Sequence, residues 1–293
     1  MMMWQSATHA PIELRCFGRN SPSTGTIQRM VQPQVKSLSE SVFSRLVKLL
    51  HEAGHIGRIP AFERRQLTRD LEKLAATHAF EAQLGLSVMA SLDGDESEAE
   101  RLLTNATKIG DPLQAEAVRL FGLSNYGRAT QGLDLLKRVA HPGMSDLSRF
   151  IRGALPAGAF ESISRLVDES AAMNQVLSSE CNEHIAVARQ GAAALQAAGL
   201  TEARLAQVLD VAGEVQRENG LLWLNGSPQF ICLTGGESED SAPGVHAYFR
   251  MDISPEEALK LTDEIGWRLV KKDLVQPGLS VTFIGAKDEA ACA

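Results

Sequence analysis

The residue types best suited to chemistry stand together at one place in this chain of 293 residues, the string His51-Glu52-Ala53-Gly54-His55. Two imidazoles and a carboxylate within five residues are the types that bind divalent metals and move protons. Elsewhere the reactive types are dispersed. The four cysteines, Cys16, Cys181, Cys232 and Cys292, include no C-x-x-C pair, so neither a disulfide framework nor a zinc ribbon is indicated. Cys181 falls in an apolar helical pattern and reads as core. The stretch Gly235-Gly236-Glu237-Ser238-Glu239-Asp240-Ser241 has the glycines of a phosphate cradle, but three acids and no lysine, and reads as a flexible hairpin loop. No Walker, Rossmann or G-x-S-x-G pattern stands in its required context.

The H-E-x-x-H string resembles the zincin metalloproteases, and its His-Glu-Ala-Gly-His form is similar to that of membrane-anchored ATP-dependent zinc proteases. The resemblance covers five residues. It implies zinc as the cofactor, His51 and His55 as ligands, and Glu52 as the catalytic base acting on metal-bound water. A third ligand would come from Glu72, His78 or Glu81. The competing reading is an exposed helix end, and it is preferred. Lys48, one turn before His51, would repel a dication. Gly54, with Ile56-Gly57-Arg58-Ile59-Pro60 after it, reads as a C-cap and exit loop, so the helix is expected to stop before His55. No strand pattern precedes the helix.

The elements that would carry these residues are mostly helices. Ser37 and Glu40 form a capping box ahead of Val42, Phe43, Leu46, Val47, Leu49, Leu50 and Ala53. Pro60 starts a second helix with Leu67, Leu71 and Leu74 on one stripe. His78 continues that stripe and is expected to be a satisfied core residue. Arg64, Arg65, Arg69 and Lys73 opposite it read as a solvated face.

Short amphipathic helices then follow one another from Phe80 to Val167. Ala99, Leu102, Leu103, Ala106 and Ile109 define one apolar face. Asp111-Pro112 restarts a helix with Leu113, Ala117, Leu120 and Phe121 inward. Asn125-Tyr126-Gly127 and His141-Pro142-Gly143 break the pattern, and Leu147, Phe150, Ile151, Phe160, Ile163, Leu166 and Val167 continue it. The pair Leu102-Leu103 recurs 33 residues on at Leu135-Leu136, and again 31 further on at Leu166-Val167. A period near 34 resembles that of tetratricopeptide-type helical hairpins. That resemblance implies a stacked array with a groove for a peptide or partner protein.

Glu169 to Ala198 reads as one or two Ala-rich helices, and Gly199 stops them. The next helix has Leu205, Val208, Leu209, Ala212 and Val215 inward. Its opening looks like a helix-turn-helix start, but no short recognition helix follows and the region is not basic. After Gly220 the period changes. Leu221–Leu224 and Gln229–Thr234 around Asn225-Gly226 predict a β-hairpin with a type I′ turn. Val245–Met251 is a third strand, and Ser254-Pro255-Glu256-Glu257 a strong helix start. Ala258, Leu261, Ile265 and Leu269 face inward, and Leu279–Ile284 is a fourth strand. This order of elements looks like a lobe of the type III secretion effector chaperones, which implies an acidic, dimeric binding protein.

Composition sets the outer limits. A net charge of −7 argues against a basic nucleic-acid coat. Mean hydropathy is −0.09, and no window has the apolar length of a membrane span. The expectation is a mostly α fold: residues 1–36 disordered, 37–198 an α-helical array read as degenerate TPR-like hairpins, and 199–293 a small α+β domain with an antiparallel sheet, ordered helix, three strands, helix, strand. The expected task is protein–protein interaction, as adaptor, chaperone or regulator in a bacterial cytoplasm. The array groove would hold a protein or peptide, homodimerisation is possible, and neither nucleic acid nor membrane is a partner. The alternatives are the zinc-dependent hydrolase, and a secreted effector or secretion-associated chaperone without a cleavable signal peptide.

Overall fold

The computed structural model describes residues 38–52, 55–144, 146–175, 177–222, 228–235 and 242–286, without the side chains of residues 38–40, 47, 50–52 and 180. The expectations for residues 1–36, the capping box at Ser37 and the Asn225-Gly226 turn lie outside these residues. Helices α1 (Leu38–Glu52), α2 (Ala61–Ala75), α3 (Ala79–Leu92), α4 (Glu96–Ile109), α5 (Pro112–Asn125), α6 (Ala129–Val139), α7 (Leu147–Ala154), α8 (Phe160–Ala172), α9 (Asn182–Ala197) and α10 (Glu202–Glu218) lead to strands β1 (Gln229–Leu233) and β2 (Gly244–Met251), helix α11 (Pro255–Lys271) and strand β3 (Leu279–Gly285). The fold is mostly α with a small α+β part at the C-terminal end, as the hydropathy pattern predicts.

Local chemistry accounts for the starts and stops. Asp95 and Asp111 cap α4 and α5 by accepting from Glu98 N and Leu113 N, each at 2.9 Å. Thr201 and Ser254 do the same for α10 and α11, each at 3.2 Å. The recurring stop is a residue with positive φ: Gly94, Gly127, Gly158, Asn174, Gly199 and Gly220 each end a helical segment. Asn174 is the break that divides the Ala-rich stretch into α8 and α9.

The faint repeat has a structural counterpart. Leu102-Leu103, Leu135-Leu136 and Leu166-Val167 stand six and seven residues past the first residues of α4, α6 and α8, and all six side chains are buried. The left-handed Gly94, Gly127 and Gly158 each stand two residues before those helices. Every second helix therefore enters the stack in the same way. Ile109, taken as part of the α4 stripe, is instead 54% exposed at the helix end.

The sheet has the order β1-β2-β3. β1 pairs antiparallel with β2, Phe230 opposite Ala247 and Cys232 opposite Val245. β2 and β3 are parallel, Phe249 opposite Phe283, so the sheet is mixed rather than wholly antiparallel. The reason is topological: a helix crossing between two strands returns the chain to the same end of the sheet. Of the first expected strand, only Leu221 and Leu222 are among the described residues. Leu221 bridges to His55, and Leu222 joins the α1–α3 core beside Val42, Leu46 and Leu71. The inner sheet face, with Val245, Ala247, Phe249, Met251, Val281 and Phe283, packs into one continuous apolar cluster with α6, α8 and α10. Phe160 of α8 meets Phe230 of β1 edge to face, ring centres 4.9 Å apart.

Candidate functional site

The helix carrying the H-E-x-x-H string ends at Glu52, so His55 stands outside it. The His51 and Glu52 side chains lie outside the described residues. His55 is half-buried and forms an antiparallel bridge with Leu221, and Ile56 N donates to Gly220 O at 2.8 Å. Its Nε2 is 3.0 Å from Asp252 O and 3.5 Å from Asp252 Oδ2. Arg58 Nη1 donates to the same carboxylate at 3.2 Å. Residues 197 positions apart are thus tied together, and the His55 imidazole is one of the ties. Of the candidate third ligands, His78 is exposed and precedes α3, with its Nδ1 2.9 Å from Thr77 Oγ1. It is not a core residue, because α2 ends at Ala75, before the stripe reaches it. Glu72 is exposed and Glu81 half-buried. Among the described residues, no three His, Cys, Asp or Glu are grouped to hold a metal ion.

α10 packs against α6 of the repeat. Glu202 is 5% exposed and accepts from Ser162 N at 2.9 Å and Ser162 Oγ at 2.6 Å, which satisfies orphan donors in the first turn of α8. Lys137 Nζ stands 3.0 Å from the same carboxylate. Eight residues on, Asp210 Oδ1 accepts from Thr130 N at 3.1 Å, in the first turn of α6. Two acids of one helix therefore cap two helices of the repeat, each charge placed where the helix dipole favours it. Gln216 Nε2 donates to Asn125 O at 2.7 Å, and Arg217 reaches Tyr126 O and Gly127 O. The backbones meet at Gly127 and Gly213: a Cβ on Gly213 would fall 1.9 Å from Gly127 O. α10 thus packs against α6 and meets the first turn of α8.

Other reactive groups are muted by their surroundings. Cys232, on the inner side of β1, has its thiol pushed up to about 11 by burial, so little thiolate exists near neutrality. Burial, followed by Glu96, Asp93 and Asp95, holds the Tyr126 phenol above its ordinary range, and its hydroxyl donates to Ser91 O. The hollow bordered by Glu161, Arg165, Asp168 and Gln196 is open and of mixed charge.

The outer side of α11 carries three exposed apolar side chains. Leu259, Trp267 and Val270 are 62%, 69% and 61% exposed. They share one side of a regular 17-residue helix whose opposite side buries Ala258, Leu261 and Ile265. Gly266 lies beside them, and a Cβ there would meet nothing within 4 Å. The helix is firmly seated. Arg268 donates to Glu218 at 2.8 and 2.5 Å, and Lys272 to Glu214 at 2.6 and 2.7 Å, joining α11 to α10. This is the candidate docking face.

Comparison of the chain with protein-family models, curated proteins and solved structures found no match. The site therefore rests on its own geometry. Reading α11 from sequence assigns its inward residues correctly but passes over the outer three. The signal was present: once Ala258, Leu261 and Ile265 face inward, Leu259, Trp267 and Val270 must project where polar residues are expected. No helix among the described residues is long and apolar enough to cross a membrane.

Proposed function

We propose that this chain is a protein-binding module, an adaptor or regulator, and that it docks through the outer side of α11. The observation that carries this reading is Trp267, 69% exposed on a well-formed helix and aligned with Leu259 and Val270. Tryptophan is enriched at interface hot spots, where a large rigid side chain is desolvated at small entropic cost. The outer side of α11 is preferred to the groove expected of the helical array, since α10 is docked against α6 and caps the start of α8.

The test is site-directed photocrosslinking in the source cells, with a photoreactive phenylalanine analogue at position 267 or 259. Phe62 serves as control, being 73% exposed on α2 among Arg65, Gln66 and Arg69. Discrete protein adducts at 267 and 259, but not at 62, are expected. No adduct at 267 or 259, or the same adducts at all three positions, would overturn the assignment.

A further inference from the structure

We draw no further inference here: the strongest candidate, the apolar surface patch of Leu259, Trp267 and Val270 on the outer side of α11, belongs to the docking site already described, and nothing in the structure shows what covers it.

Discussion

Helices α10 and α11 are a matched pair put to opposite uses. Each has 17 residues, a hydroxyl N-cap accepting from the third residue of the helix, acid in the first turn and base in the last. α10 buries ten of its residues, from Glu202 to Gln216, and α11 buries three. The side chains that α10 turns toward the array are engaged with capped helix starts and loop carbonyls. The side that α11 turns outward offers three apolar side chains to solvent. Local helix-forming chemistry is the same in both, so it cannot explain the difference. The surroundings do: α10 is wedged between the repeat and the sheet, whereas α11 covers one end of the sheet and has nothing among the described residues on its other side.

The comparison breaks most sharply at the Gly127–Gly213 crossing. Gly213→Val sets a branched side chain against the Gly127 carbonyl, and neither backbone can withdraw without unseating α10. A loss of about 3 kcal/mol or more is expected, read as a lowered urea midpoint or as failure to fold. Glu202→Gln keeps the volume but removes the charge that caps α8 and meets Lys137. It should cost about 2 kcal/mol, and lengthening of the Ser162 contacts should speed amide exchange in the first turn of α8. A Glu202→Gln variant as stable as wild type would mean that the cap does not hold the array to α10.

A smaller effect is expected at the tie between His55 and Asp252. His55→Ala removes the contact to Asp252, and about 1 kcal/mol should be lost. His55→Ala with Asp252→Ala should cost less than the two single losses together, because both remove the same contact. Strict additivity in that cycle would sink the tie and return attention to His55 as a ligand.

The array was legible because its signals are local. Leucine pairs at a near-constant spacing, an Asp-Pro start and glycine stops are each read within one or two turns, and the helices stand where those signals place them. The seam with α10 was not legible. Nothing near Ser162 or Thr130 in sequence shows that their amides are met by carboxylates 40 and 80 residues away. The same limit explains Leu221-Leu222: a short apolar run before Asn225-Gly226 reads as a hairpin arm, but long-range packing assigned these two to His55 and the α1–α3 core. The parallel β3 is a different matter. The helix between β2 and β3 was already visible, and a crossover helix implies a parallel pair, so the antiparallel expectation neglected information present in the sequence.

The smallest expected change in stability separates surface from core on α11. Leu259→Ser and Trp267→Ser remove large apolar side chains, which in α10 would leave cavities worth several kcal/mol. On α11 they are more than half exposed, so the monomer should lose no more than about 0.5 kcal/mol in urea titrations made at concentrations too low for association. Leu261→Ala, one turn away on the inner side, should cost about 2 kcal/mol or more under the same conditions. A large loss from Trp267→Ser would show that the indole supports the fold. Then its exposure could not be read as readiness to bind, and the contrast between the two helices would fall with it. A negligible loss beside the Leu261→Ala penalty leaves a helix that is held fast on one side while the other keeps a tryptophan in water at no benefit to the isolated fold.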